Sequence, residues 1–289
     1  MFKYILYYLK NFLILIRINK PTGIMLLMFP AIWSILIVLK EEIDIYLLLL
    51  FAYGSFIMRS AGCIINDIID KKFDRNVERT KLRPLASENL ESSDAIILFI
   101  IFLSIGLSIL LSLNSTCILL GFIAFPLILL YPLMKRFTYF PQLYLAIVFN
   151  FSVLISWTAA KGEFDNQSLL LYLACIFWTL GYDTIYAYQD INDDKKIGVK
   201  SLAIYLEKNI KFWITLFYLI FIGFFSFLAI LNSINLIFFI IILFALKILF
   251  EIFKTKELQP KDCLRIFQMN SWYGFFITIG LFFNYIILT

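Results

Sequence analysis

The 289-residue chain contains no histidine. That excludes histidine-based zinc sites, Ser-His triads and imidazole proton relays. Charge is also scarce: 16% of residues are Asp, Glu, Lys or Arg, against 62% hydrophobic. A soluble domain runs about 45–50% apolar and about 25% charged. The four cysteines, Cys63, Cys117, Cys175 and Cys263, are far apart and form no CxxC pair, so neither a metal cluster nor a disulfide framework is expected. Disorder is excluded as well, because Phe alone supplies 32 residues. What remains is an all-α integral membrane protein, whose partner along most of its surface is the lipid bilayer. Nothing in the chain points to nucleic acid or to a protein partner.

Spanning helices need roughly 20 mostly apolar residues. Such runs fall near 24–40, 45–65, 95–113, 116–134, 141–160, 168–189, 212–230, 234–253 and 270–288, which predicts about nine transmembrane helices in one domain covering 1–289. The stretch from Met1 to Lys20 reads as an amphipathic lead-in, since it lacks a small-residue cleavage site. With the N-terminus inside, 21 of the 25 Lys and Arg fall on the cytoplasmic side, while Lys40 and Lys161 alone lie outside. This is the positive-inside pattern. A bacterial inner membrane is the simplest home.

The acids do not follow from topology. Asn66, Asp67, Asp70 and Asp74 open the segment after the second run, and Asp190, Asp193 and Asp194 that after the sixth. Residues four apart share a helix face, so Asn66, Asp70 and Asp74 form one column of oxygens and Asp190 and Asp194 another. Like charges so placed repel, and the bilayer edge makes this worse. A hard divalent cation offsets both effects, and Mg²⁺ takes oxygen ligands alongside phosphates. Bases follow each column: Arg79, Lys81 and Arg83, then Lys195, Lys196 and Lys200. Carboxylates, Mg²⁺ and bases together are suited to gripping a diphosphate. Helix, acids, bases, helix occurs twice, which suggests pseudo-repeated halves at about 17–140 and 141–253 plus a last helix, with the columns facing each other across a cavity.

These segments resemble the signatures of the UbiA superfamily of intramembrane aromatic prenyltransferases. The first is Asn66-Asp67-x-x-Asp70-x-x-x-Asp74 with Arg79-Thr80 and Arg83-Pro84-Leu85. The second is Tyr182-Asp183-Thr184-Ile185-Tyr186-Ala187, then Asp190-x-x-Asp193-Asp194 and Gly198-Val199-Lys200-Ser201. Arg17-x-x-Lys20-Pro21-Thr22-Gly23 and Tyr131-Pro132-x-x-Lys135-Arg136 extend the resemblance. Ser156-Trp157 departs from the usual Gly-Trp without touching a candidate catalytic group. Within the superfamily, the Tyr-Pro-x-x-Lys-Arg segment and the second signature look most like the branch that acts on 4-hydroxybenzoate in ubiquinone biosynthesis.

The resemblance implies a bundle around a central, laterally open cavity, in which a polyprenyl diphosphate and 4-hydroxybenzoate meet with Mg²⁺ as cofactor. Asp70, Asp74, Asp190 and Asp194 are then the catalytic acids. These four, with Asn66 and the weaker candidate Asp67, are the metal ligands. Arg79, Arg83, Lys135, Arg136 and Lys200 are candidates for the diphosphate. Arg59 lies two turns deeper than Asn66, where a buried cation is costly and usually functional. It and Asp183 are candidates for the aromatic acceptor. A cation-coupled transporter would set its charges near the midplane rather than at span ends. A CDP-alcohol phosphotransferase would carry an Asp-Gly pair, which the sequence lacks. Naphthoate or haem remains an alternative acceptor, and haem is disfavoured by the signatures and the lack of histidine.

Overall fold

A computed structural model describes residues 2–254 and 257–287. Its described residues form helices and connecting turns: α1 (Phe2–Leu15), α2 (Thr22–Leu39), α3 (Ile45–Asp74), α4 (Ser92–Leu111), α5 (Ser115–Phe137), α6 (Pro141–Phe149), α7 (Phe151–Lys161), α8 (Asn166–Tyr188), α9 (Ile191–Ile197), α10 (Leu202–Tyr205), α11 (Ile210–Leu231), α12 (Asn235–Lys254) and α13 (Pro260–Ile287). By length and composition α2, α3, α4, α5, the α6–α7 pair, α8, α11 and α13 can each cross a membrane. The 20-residue α12 adds a ninth long helix between α11 and α13. Each apolar run of the sequence thus falls on a helix.

Local chemistry fixes the ends. Asp44 caps α3 by accepting from the Leu47 amide at 3.0 Å. Asp165 and Ser168 form a reciprocal capping box on α8. Asn114 caps α5, accepting from Cys117, and its amide also donates to the Thr158 carbonyl of α7 at 2.9 Å. That double duty gives Asn114 a structural role at the junction of α5 and α7. The fifth span departs from a single helix at Asn150, whose amide donates to the Ala146 carbonyl and to Thr179 Oγ1, so α6 and α7 meet at a break.

The core lies where α2, α8, α11 and α13 converge. Trp33 and Trp178 are fully buried with ring centroids 5.0 Å apart. Both indole N–H groups are satisfied, Trp33 by Thr278 and Trp178 by Asn270, which also accepts from Tyr218. A Cβ on Gly274 would sit 2.1 Å from the Phe29 ring, so only glycine lets α13 approach α2 this closely. By contrast α4 exposes most of its apolar face (Ile96, Ile97, Ile100, Ile101) and buries only Ala95, as a lipid-facing helix does. Lys247, whose role the sequence leaves open, is 3.1 Å from the buried Glu251, and Arg265 reaches the same carboxylate at 2.7 Å. The pair ties α12 to α13.

Candidate active site

α3 continues as helix through its acidic end, so Asn66, Asp70 and Asp74 do share a face, and all three line one cavity of about 1120 Å³. Opposite, α8 stops at Tyr188 and α9 restarts at once, with the Asp194 amide donating to the Asp190 carbonyl at 2.9 Å. That single turn brings Asp190 and Asp194 to the same cavity. Asp193 is not among its lining residues and faces Lys196 at 3.5 Å.

The bases meet these acids in specific pairs. Arg79 binds Asp190 through Nε at 2.9 and 3.0 Å and through Nη2 at 2.6 Å, and donates to the Tyr186 hydroxyl at 2.8 Å. Arg83 bridges Asp67 at 3.0 Å and Asp74 at 2.8 Å. Lys135 pairs with Asp70. Asp67 is saturated: Arg17 reaches its two oxygens at 2.7 and 2.6 Å in addition to Arg83. Burial works against the charge of Arg79 and Arg83, but Tyr186 and Asp190 beside the first and Asp67 and Asp74 beside the second outweigh it and raise both pKa values, so both stay charged. Burial, with the like charge of Asp190, pushes the Asp194 carboxyl up to about 7.

Two predicted bases stand apart. Arg136 is absent from the cavity lining; it lies over the Phe73 ring, donates to the Ile69 carbonyl and comes within 3.9 Å of Asp70. Lys200 lines the cavity, but its ammonium donates to the Phe137 carbonyl and covers Tyr139. Arg59 and Asp183 line the cavity beyond the acids, and no ion pair joins them among the described residues. The Arg59 guanidinium sits 5.7 Å from the Phe149 ring centre.

Arg17, Lys20 and Tyr186 also face the cavity, though composition and spacing alone did not mark them as site residues. Their signal was the pair of motif stretches Arg17 to Gly23 and Tyr182 to Ala187. Arg17 holds a left-handed backbone (φ 62°), unusual outside glycine, while its side chain is fixed on Asp67. Lys20 has no ion pair among the described residues. Burial, then the like charges of Arg79, Arg17 and Arg83, lowers its pKa.

Among the described residues no three acid or thiol side chains converge as a ready-made metal cage. One carboxylate oxygen is nevertheless uncommitted: Asp70 Oδ1 is buried with no hydrogen-bond partner. Away from the acids the cavity wall is mostly apolar, with Arg59 and Asp183 as its charged exceptions, and is drawn largely from α3, α4, α5, α6 and α7.

The UbiA prenyltransferase family matches residues 27–279. Similar to this chain are the mitochondrial 4-hydroxybenzoate polyprenyltransferase of Caenorhabditis elegans and the 4-hydroxybenzoate octaprenyltransferase of Coxiella burnetii (strain CbuK_Q154). The first is 48% identical over 212 residues, covering 72% of this chain and 60% of that protein; the chain therefore spans less than two thirds of it. The second is 36% identical over 278 residues, covering 96% of this chain and 97% of that protein. A solved UbiA homolog from Archaeoglobus fulgidus bound to GPP and Mg²⁺ shares the fold, with a TM-score of 0.70 at 17% identity over 93% of this chain and 99% of that one. The matched stretch runs from α2 into α13 and takes in both acidic segments, so the chain belongs to the UbiA prenyltransferase family and is a multi-pass membrane prenyltransferase.

Proposed function

We propose that the chain transfers a polyprenyl group from polyprenyl diphosphate to 4-hydroxybenzoate, at the ring carbon ortho to the hydroxyl and meta to the carboxylate, for ubiquinone biosynthesis. The observation that carries the reading is the meeting of Asp70 and Asp74 with Asp190 and Asp194, among bases, in a cavity whose remaining wall is mostly apolar. The names of the C. elegans and C. burnetii relatives supply the acceptor.

The donor set fits Mg²⁺. This ion usually takes one or two carboxylates and completes its shell with phosphate oxygens and water, so no protein cage is needed. Asp70 offers a free oxygen. Asp70, Asp74, Asp190 and Asp194, helped by Asn66, are the residues to hold it. Bound there, Mg²⁺ supplies Lewis-acid neutralisation of the charge that grows on the leaving diphosphate. Asp67 is better read as the counter-ion of Arg17 and Arg83, since two arginines hold its oxygens where one holds those of Asp190.

Arg79, Arg83 and Lys135 release their carboxylate partners and turn to phosphate oxygens, with Lys20 and Lys200 beside them. Arg136 acts at one remove, on Asp70. The bond from the allylic carbon to the diphosphate oxygen breaks, and the aromatic face of Tyr186 steadies the cation. Arg59 takes the acceptor carboxylate and Asp183 the phenol hydroxyl. The ortho carbon then forms the new carbon–carbon bond and loses its proton. Dry apolar walls keep water from the cation. The positive-inside split supports this end of the bundle facing the cytoplasm, and a bacterial inner membrane is the home that fits this reading.

The test supplies membranes containing the protein with 4-hydroxybenzoate, a polyprenyl diphosphate and Mg²⁺. Prenylated product is expected, and none with EDTA or in Asp70→Asn and Asp190→Asn. Product that persists in all three refutes the metal assignment. Prenylation of 1,4-dihydroxy-2-naphthoate alone refutes the acceptor.

A further inference from the structure

α1 is a helix without a place among the spans. Its 14 residues reach about 21 Å at 1.5 Å each, too short for a hydrocarbon layer of roughly 30 Å. Only its far end packs on the bundle. Leu15 and Ile16, with Phe12 beside them, share one buried cluster with Ile64 and Ile68 of α3, Leu85 and Leu90 of the segment that follows, and Ala95 of α4. Ile68 adjoins Asp67, so this contact sits at the end of the bundle that carries the acids.

The other half of α1 is bare on every side. Leu6, Tyr7, Tyr8 and Leu9 are consecutive, and all four are exposed. At about 100° per residue they point in four directions around the helix. A protein partner would cover one side and leave the rest in water, whereas lipid covers them all. Their surface also continues into a lipid-facing one. The cluster that receives Phe12 takes Leu98, Phe99 and Phe102 of α4, and Ile96, Ile97, Ile100 and Ile101 of the same helix face outward. The residue types suit the boundary of a bilayer rather than its interior. Tyr7 and Tyr8 carry a hydroxyl on an apolar ring, Lys10 is exposed, and no acid occurs before Glu41.

The elbow after α1 carries this helix into the cavity wall. Ile14, Arg17, Asn19 and Lys20 line the cavity. Arg17 makes the turn at φ 62°, and its guanidinium holds both Asp67 oxygens.

We infer that α1 lies in the plane of the membrane, with residues 6–13 seated in the lipid headgroup layer at the acid-bearing end, and that this seat holds Arg17 and Lys20 in place to meet the diphosphate. The coupling to the diphosphate rests on the prenyl-transfer reading above; the seat in the lipid does not.

The experiment uses the full-length protein in vesicles of phosphatidylcholine and phosphatidylglycerol. The four native cysteines are buried, so a nitroxide is attached at Leu9→Cys. Its depth is read from power saturation with oxygen against a water-soluble nickel chelate. A depth of about 5–10 Å below the headgroup surface is expected. A label in water, or one at the bilayer midplane, overturns the seat. The coupling is tested in the triple variant Leu6→Asp, Leu9→Asp and Leu13→Asp, which changes exposed positions alone. KM for the polyprenyl diphosphate should rise about tenfold, as for the loss of one charged contact, with kcat near that of the parent. Leu9→Asp alone gives the same direction with a smaller shift if the triple variant does not fold. A fall in kcat at unchanged KM, or no change in either, overturns the coupling. A parent that yields no prenylated product overturns the proposed function instead and leaves the depth measurement standing.

Discussion

Replacing Asp67 by Asn separates a charge clamp from a metal ligand. Asp67 is 1% exposed and holds two arginines. Without its charge Arg83 keeps Asp74 at 2.8 Å, but Arg17 keeps only the Ile14 carbonyl at 3.1 Å. Stranding one member of a buried ion pair costs about 3–5 kcal/mol. The Arg17 side chain is 16% exposed and can partly rehydrate, so the low end, about 3 kcal/mol, applies. At about 2 °C per kcal/mol for a large chain, the detergent-solubilised protein should melt about 6 °C lower. Losses in Asp67→Asn and Arg17→Gln should overlap rather than add, because each breaks the same contact. The Mg²⁺ concentration for half-maximal activity should stay near that of the parent, while Asp70→Asn raises it. The reasoning is refuted if Asp67→Asn shifts the Mg²⁺ requirement as far as Asp70→Asn and leaves the melting temperature unchanged.

Arg79→Lys keeps a positive charge but loses the fork that binds Asp190 and Tyr186 together, so kcat/KM for the diphosphate should fall about a hundredfold in steady-state assays. Lys20 titrates below the ordinary lysine range, because burial and three arginines oppose its charge. KM for the diphosphate should therefore rise as alkaline pH strips that charge, and Lys20→Arg should flatten the limb in a pH profile of KM. Asn270→Leu leaves Trp178 and Tyr218 without their shared acceptor; at about 1–3 kcal/mol per orphaned group, a thermal melt should drop while the Mg²⁺ requirement holds.

Helix number was legible because bilayer thickness sets the length of an apolar run. The start of α13 was not: its apolar run begins near 270, yet the helix starts at Pro260, carried outward by Lys261, Asp262 and Arg265 while Cys263 and Ile266 face inward. Asn150 was hidden for the opposite reason, a single polar residue inside an apolar run whose side chain competes for backbone carbonyls. The two acid columns were legible because spacing on a helix is local. Which base serves which acid was not: Arg17 and Asp67 are 50 residues apart, Lys135 and Asp70 65, and Arg79 and Asp190 111. Only packing decides such pairs, and it ties the Asp67 carboxylate to Arg17 at the α1–α2 elbow.

The charges around the cavity have a consequence for delivery. Six carboxylates (67, 70, 74, 183, 190 and 194) face seven cations (17, 20, 59, 79, 83, 135 and 200). Sign is matched against sign over a few ångströms, so the cavity mouth projects little field beyond a Debye length of about 8 Å. It does not act as an electrostatic funnel, which needs one sign of charge lining the approach. A donor that is mostly hydrocarbon has another route. It already dissolves in the bilayer beside the lipid-facing helices, and its local concentration is set by partition rather than by attraction. Turnover at low substrate should follow the donor's mole fraction in the membrane and change little with salt.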